Sequence, residues 1–137
     1  MIVLVDTDVV LDALLARTPF DVDAVKIFAA SETGKIDGFI CATTVTNVHY
    51  IARKAIGKQQ ATRRLSDLLT VFQIASVTPS VLKSALELRF TDFEDAVIHQ
   101  SAVAINAQGI VTRNVGDFSG STIPVYEPPQ FLALLGL

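Results

Sequence analysis

Three aspartates occupy positions in this chain where their carboxylates could bind a metal ion. Asp6 comes directly after the apolar run at residues 2–5, and Asp95 stands in the first turn of a predicted helix. Asp117 stands in a predicted turn that follows a predicted strand at residues 110–112. Oxygen-only ligands suit hard cations, so we expect Mg²⁺ or Mn²⁺ rather than zinc. Because such an ion can activate water and stabilise a leaving oxygen, these residues indicate hydrolysis of a phosphodiester.

Each of these aspartates also has a local explanation. Asp6 could simply cap the first helix, although Thr7 or Asp8 could do so equally well. Asp95 would be favourably placed at any helix N-terminus, and aspartate is common in turns such as the one that holds Asp117. A shared site is favoured because Asp6 follows four apolar residues, where a carboxylate is poorly hydrated. Three converging carboxylates without a cation would also repel one another and raise their own pKa values.

Further polar residues are predicted to lie at the same edge of a sheet. Thr112, Arg113 and Asn114 directly follow the predicted fourth strand, and in open α/β sheets ligands bind beyond the carboxyl ends of the strands. We therefore expect Thr112 and Asn114 to support the site. Asp92 precedes the helix that carries Asp95, and the sequence leaves it open between a cap and a member of the site.

The elements that must position these residues alternate between strands and helices. Such alternation predicts right-handed crossovers and a parallel sheet. The fold class is therefore α/β, a three-layer α/β/α sandwich with a mostly parallel sheet of four to five strands, in one domain at residues 1–137. In the second helix the spacing predicts an apolar face of Val22, Val25, Phe28 and Ala29. Strands are predicted at residues 2–5, 38–42, 71–75, 110–112 and 123–125, and helices at about 7–17, 21–33, 43–57, 58–70, 79–89, 92–106 and after 128.

Composition excludes several classes of protein. No apolar run approaches the ~18 residues of a membrane span, and the N-terminus lacks the pattern of a signal peptide, so we expect a cytoplasmic protein. Cys41 is the only cysteine, which excludes an intrachain disulfide and a cysteine zinc cluster. Half of the 137 residues are hydrophobic, which is high for a monomer of this size and compatible with a subunit interface.

The net charge of −3 is the wrong sign for binding nucleic acid through bulk electrostatics, so any such binding must be local. One stretch of the chain has basic residues and no acid, and it suggests an RNA path, although a solvated helical face explains it equally well. We add Arg113, beside the predicted site, as a further candidate contact with RNA. The basic residues of the stretch are Arg53, Lys54, Lys58, Arg63 and Arg64.

Four segments, in their order and spacing, resemble a known family. They are residues 3–9 (VLVDTDV), 95–98 (DAVI), 110–114 (IVTRN) and 117–118 (DF). The pattern is similar to that of the PIN-domain nucleases, particularly the small VapC-type toxins of bacteria and archaea, and the likeness covers the whole chain. It implies a PIN-like fold with an acidic site of Asp6, Asp95 and Asp117. It further implies an endoribonuclease that acts as a homodimer and is held inactive by a small antitoxin protein.

Two positions depart from the pattern of these proteins. Asn47 lies where they usually place a glutamate early in the third helix, and Asn114 lies where many have a second aspartate. Both can offer amide oxygens but no charge, which favours a single or weakly held metal ion.

Two other functions remain open from the sequence. The start of the chain also resembles that of a haloacid-dehalogenase-type phosphatase, with Asp6 as covalent nucleophile and Asp8 as acid. Against this interpretation, no lysine follows a later strand to bind phosphate, and there is no room for a cap domain. The second alternative is a PIN-like protein that has lost its chemistry and acts as a binding partner, which Asn47 and Asn114 motivate.

Overall fold

A five-stranded parallel sheet forms the centre of the protein in a computed structural model that describes residues 1–137. The strand order is β3-β2-β1-β4-β5, and every neighbouring pair is parallel, as the alternating sequence pattern predicts. The fold class predicted from the sequence is therefore confirmed. The strands are β1 (Ile2–Val5), β2 (Asp37–Cys41), β3 (Gln73–Ala75), β4 (Gly109–Val111) and β5 (Val125–Tyr126).

Seven helices cover the sheet, and two separate apolar cores show that they lie on both of its faces. One core joins the sheet to α1, α2, α3, α4 and α7, and the other joins it to α5 and α6. No helix combines the length and the hydropathy that a membrane crossing requires. The helices are α1 (Thr7–Leu14), α2 (Asp21–Glu32), α3 (Ala42–Ile56), α4 (Lys58–Val71), α5 (Pro79–Leu86), α6 (Phe93–Ala104) and α7 (Pro128–Leu134).

Strand β1 lies at the centre of the sheet and is buried on both faces. Val3 and Val5 belong to the larger core, whereas Leu4 belongs to the smaller core on the other face. Successive side chains of a strand point to opposite faces, and Val3, Leu4 and Val5 are accordingly buried on alternate faces of the sheet. Burying an aliphatic side chain of this size contributes roughly 1.5–3 kcal/mol, so β1 is a rigid support for the residue that follows it.

The apolar face predicted for α2 is wrong for Val22, Val25 and Ala29, which are exposed, whereas Phe28 packs against the larger core as predicted. Val22 and Val25 are 59% and 54% exposed, while Ala24, Ile27 and Ala30 are buried against the sheet. Both sets recur with helical spacing, and the smaller alanines allow a closer approach of α2 to its neighbours. Sequence periodicity could not decide between these two faces because the contacts that select one of them are tertiary.

Strands β2 and β4 start and end one residue earlier than predicted, and β3 and β5 differ by more. Helix α4 continues through Val71, and the backbone N–H of Phe72 still donates to the carbonyl of Leu68, so β3 starts only at Gln73. The last strand lies at Val125–Tyr126 rather than at residues 123–125. Between α3 and α4 the predicted stop at Gly57 is confirmed, because its φ of 84° is one that side-chain-bearing residues rarely adopt.

Candidate active site

The strand order places a crevice between β1 and β4. From β1 the sheet extends to β2 and β3 on one side and to β4 and β5 on the other, which makes the β1–β4 pair a topological switch point. Asp6 follows β1 and Thr112 follows β4, so both stand at the carboxyl edge of this pair. The backbone N–H of Asp6 donates to the carbonyl of Val111 at 2.9 Å, which extends the sheet by one residue.

The carboxylate of Asp6 is held on both of its oxygens. Oδ1 accepts from the backbone N–H of Thr7 at 2.8 Å, and Oδ2 accepts from the hydroxyl of Thr112 at 2.8 Å. Asp6 is thus the N-cap of α1, the local role considered above, but it is also bonded to the neighbouring strand's end. Its side chain is nearly buried, and burial together with repulsion from Asp8 raises its pKa to about 7. A carboxylate in this state lacks a compensating positive charge.

Asp8 joins this group, although sequence reasoning named it only as a helix cap or as the acid of a phosphatase. Its Oδ2 accepts from the backbone N–H of Arg113 and from the side-chain amide of Asn114, both at 3.1 Å. Burial raises the pKa of Asp8 as well. The available signal was its spacing of two residues from Asp6, which places both carboxylates at the start of α1.

A second group of acids lies at the start of α6. Asp92 is the N-cap: its Oδ1 accepts from the backbone N–H groups of Glu94 at 2.7 Å and Asp95 at 3.3 Å. Asp92 is therefore a cap, as one of the two roles left open by the sequence has it, and its supporting role at the site stays a prediction. Asp95 is half-buried, and its pKa is raised to about 6. Burial is the largest cause, and repulsion from Asp92, Asp117 and other acids adds to it.

Asp117 lies in a single turn of 3-10 helix, Val115–Phe118, that the sequence suggested only as a turn. Its side chain is exposed, while the neighbouring Phe118 is buried in the smaller core and anchors the turn. The backbone N–H of Asp117 donates to the carbonyl of Asn114 at 3.0 Å. The turn brings Asp117 close enough to Asp95 for the two carboxylates to repel each other.

The predicted metal ligands fit a divalent cation in their chemistry. The donors are carboxylate oxygens, and the pKa values of Asp6 and Asp95 are raised partly by neighbouring acids, which is the condition that a bound cation relieves. As the side chains stand, no three Asp, Glu, His or Cys groups are placed to ligate one ion. Mg²⁺ commonly binds through one or two carboxylates and keeps several waters, so two direct ligands suffice.

Arg113 is held by protein groups. Its Nε donates to Oδ2 of Asp12 at 2.6 Å and its second terminal nitrogen donates to Oδ1 at 3.1 Å, while the guanidinium lies 3.9 Å from the ring centre of Phe20. Asp12 is 1% exposed and also accepts from Nε of Arg17 at 3.0 Å. The guanidinium of Arg113 therefore orders the segment after β4. The sequence did not predict this role, because it depends on the burial of Asp12.

The basic stretch lies away from the acidic group. Helix α3 starts at the carboxyl edge of β2, and Arg53 and Lys54 stand in its last turn, at the other end. Arg64 is half-buried and donates to the carbonyl of Leu14 at the far end of α1. Arg53, Lys54, Lys58 and Arg63 are exposed.

A known protein family matches most of this chain. The model of a family described as PIN domain matches residues 2–116, most of the chain. The chain belongs to the PIN-domain family. The matched range includes Asp6, Asp8, Asp95 and Asn114, and it ends one residue before Asp117. The match is also evidence against the phosphatase interpretation of Asp6.

Several solved structures share the fold at low sequence identity. VapBC2 from Rickettsia felis, solved with a promoter DNA fragment, matches with a TM-score of 0.74 and 18% identity over 93% of this chain and 98% of that chain. A toxin-antitoxin complex from Klebsiella pneumoniae matches with a TM-score of 0.70 and 24% identity over 92% and 97%. VapC20 from Mycobacterium tuberculosis is described as a sarcin-ricin loop cleaving toxin. It matches with a TM-score of 0.64 and 16% identity over 79% of this chain and 86% of that chain. A search of curated protein sequences gave no match.

In this PIN domain the two asparagines noted above make specific contacts. The amide of Asn47 donates to Oε1 of Glu94 at 2.8 Å, which joins α3 to the acidic start of α6. The amide of Asn114 donates to Asp8. Both residues therefore present N–H groups to neighbouring carboxylates. The side-chain oxygens of Asn47 and Asn114, which the sequence suggested as possible metal ligands, take no part in these two hydrogen bonds.

Proposed function

We propose that this PIN domain is a metal-dependent endoribonuclease and the toxin of a toxin-antitoxin pair. The observation that carries the proposal is the carboxylate of Asp6: it is nearly buried beside β4, is bonded to Thr112 and has its pKa raised to about 7. A carboxylate kept in this environment at neutral pH is typical of a functional site.

Asp6 and Asp95 are the residues that would hold the cation, with Asp117 as a third, exposed ligand. Mg²⁺ or Mn²⁺, when bound, supplies an activated water and positive charge at the phosphate. The other residues orient these carboxylates: Thr112 and the backbone N–H of Thr7 fix the direction of Asp6. The reaction is attack of water at phosphorus, with cleavage of one P–O bond of the RNA chain.

Asp8 contributes by positioning the chain after β4. Its Oδ2 binds the backbone of Arg113 and the amide of Asn114, and this segment leads to Asp117 through the hydrogen bond between Asn114 and the backbone of Asp117. A ligand placed only 1 Å away from its working position loses much of its effect, so this support is part of the site.

The fold likeness supports the substrate class and the partners. One relative is described as cleaving the sarcin-ricin loop, and others were solved as toxin-antitoxin complexes. For this chain we propose RNA as substrate, a homodimer and a small antitoxin protein as partner. Large exposed apolar side chains, among them Tyr50 at 61% and Leu86 at 72%, offer area for such protein contacts.

Cleavage of a mixed pool of structured and single-stranded RNA by the purified protein tests the proposal. The pool is incubated with Mg²⁺, Mn²⁺ or EDTA, beside Asp6→Asn and a control variant Asp37→Asn, whose carboxylate is exposed at the opposite end of a strand. We expect metal-dependent cutting that Asp6→Asn abolishes and the control retains. Equal cutting by Asp6→Asn contradicts the assignment of the site.

The alternative of a chemically inert binding protein is favoured by the contacts of Asn47 and Asn114, which supply N–H groups where acids would supply charge. It predicts no cutting with any metal and no metal binding by calorimetry. It also predicts that Asn47→Glu brings no metal affinity.

A further inference from the structure

A cavity of about 540 Å³ lies next to the acidic site, on the side of Arg113. Its walls come from the start of α2 and from the start of α7, joined by the segment after β4. The cavity is lined by residues that include Pro19, Phe20, Asp23, Arg113, Glu127 and Pro128. The volume is ample for one nucleoside, and the walls combine an aromatic ring and prolines with a few polar groups, as ligand sites commonly do.

The charges in this cavity do not suit a phosphate. The one cation, Arg113, is already bonded to Asp12 through two nitrogens and lies against Phe20. The carboxylates of Asp23 and Glu127 form no ion pair within the protein. The cavity therefore offers hydrogen-bond acceptors to a ligand that presents N–H groups.

The cavity is tied to the acidic site through the residues after β4. The backbone N–H of Arg113 donates to Asp8, and the preceding residue, Thr112, donates to Asp6. A nucleotide whose base occupies the cavity would thus have its sugar and phosphate on the side of Asp6 and Asp8. In this position the cavity would hold a base next to the phosphate that is cut.

We propose that this cavity is a base subsite that selects guanine, an inference that rests on the proposed ribonuclease function. Guanine presents two neighbouring donors, N1–H and the N2 amino group, on its Watson–Crick edge, and a carboxylate can accept from both. Adenine, cytosine and uracil each present only one donor group on that edge. The prolines, Phe20 and the planar guanidinium of Arg113, which lies over the Phe20 ring, line the cavity with flat groups, and such planes stack on RNA bases.

A binding measurement tests the subsite independently of cleavage. A uridine hexamer with one guanosine is compared, in EDTA, with hexamers in which inosine or adenosine replaces that guanosine. Fluorescence anisotropy gives each dissociation constant. We expect roughly tenfold tighter binding of the guanosine hexamer than of the adenosine hexamer, the range for one bidentate contact, with inosine between them because it lacks the N2 amino group.

Variants of the two acids in the cavity test whether they cause the preference for guanosine. Asp23→Asn and Glu127→Gln, singly and together, are expected to reduce the preference for guanosine. The melting temperature should change little, because glutamine keeps an oxygen for the capping box that Glu127 forms with Gln130 at the start of α7. Glu32→Gln is the matched control, an exposed acid at the other end of the same helix as Asp23. A preference that survives in the double variant overturns the inference.

The same hexamers with Mg²⁺ or Mn²⁺ separate this inference from the proposed function. Cutting without regard to guanosine overturns the subsite and leaves the nuclease standing. Guanosine-selective binding without cutting supports the subsite and counts against the nuclease. If an arginine-containing peptide binds in the cavity and no hexamer shows a base preference, the cavity serves a protein contact and the inference is wrong.

Discussion

The hydroxyl of Thr112 donates a hydrogen bond of 2.8 Å to Oδ2 of Asp6 and so joins the carboxyl ends of the two strands that meet at the switch point. This bond lowers the pKa of Asp6 and opposes burial, which raises it. It is therefore both a structural link and a control on the charge of the central carboxylate.

Replacing Thr112 with valine keeps the shape of the side chain and removes the donor. We expect the pKa of Asp6 to rise further, so that cleavage requires a higher pH, and we expect a loss of roughly 1–3 kcal/mol of stability from the unpaired buried oxygen. A pH profile of cleavage and urea unfolding measure the two effects. Thr33→Val is the control because the Thr33 hydroxyl is exposed and bonds only to its own helix.

The Asp6→Asn variant is expected to gain stability in the absence of metal, and the gain should depend on pH. The carboxyl of Asp6 has a pKa of 3.8 when unfolded and about 7 when folded, so the folded state binds more protons between these values. Wild-type stability from this group is therefore complete below pH 3.8 and is lost as the pH rises through 7. Melting curves in EDTA should show a gain for the variant at pH 8 that disappears near pH 4, and an equal gain at both contradicts the shift.

His99 is expected to act in the opposite direction. Its Nε2 accepts from the backbone N–H of Thr122 at 3.2 Å, and burial lowers its pKa below 6.5. The unfolded chain then binds more protons below pH 6.5, so this contribution to stability is complete above pH 6.5 and falls as the pH drops. His99→Gln should flatten that fall relative to wild type, as measured by urea unfolding at pH 5 and 7.5. A pH dependence equal to that of wild type would exclude this role.

Asp12→Asn should destabilise the protein by roughly 2–3 kcal/mol, somewhat less than a fully buried ion pair, because Arg17 and Arg113 are partly exposed and regain water. Asp37→Asn, which breaks an exposed contact with the terminal amino group, should cost less than about 1 kcal/mol. Denaturant unfolding compares the two. Similar values for both variants would show that Asp12 does not hold Arg113 in solution.

Within the basic stretch, Arg63 and Arg64 should behave differently. Arg63 is exposed, so Arg63→Ala is expected to weaken RNA binding for all sequences and to lower the slope of log affinity against log salt by about 1. Arg64 donates to the carbonyl of Leu14, so Arg64→Ala should lower the melting temperature instead. Binding at several salt concentrations and melting curves separate these effects; unchanged RNA affinity in Arg63→Ala would make the stretch a solvated face.

The sheet could be predicted from the sequence because its signals are local. Residues 2–5 form an apolar run that ends at an aspartate, and such runs alternate with helical patterns, which is sufficient for a parallel sheet and its carboxyl edge. The apolar face of α2 could not be chosen in this way, since Val22 and Ala24 fit helical spacing equally well and only packing against the sheet decides between them.

The candidate site was predictable where each residue has a local signal. Asp6, Asp95 and Asp117 stand beside strand ends or helix starts, and their part in catalysis stays a prediction. Asp8 was missed because its partners, Arg113 and Asn114, are more than 100 residues away in sequence. The ion pair of Arg113 with Asp12 was also missed, because the sequence gives no signal that Asp12 is buried; contact of Arg113 with RNA stays a prediction.

The separation of 106 residues between Asp6 and Thr112 also bears on the synthesis of the protein. A ribosome produces β1 first, but the strand that pairs with it beyond the switch point emerges only when most of the chain has been translated. Because domains generally fold as units, the nascent chain has no assembled acidic site while it is still being made. Any activity that depends on this site would thus appear only after the ribosome has translated β4 and the residues that follow it.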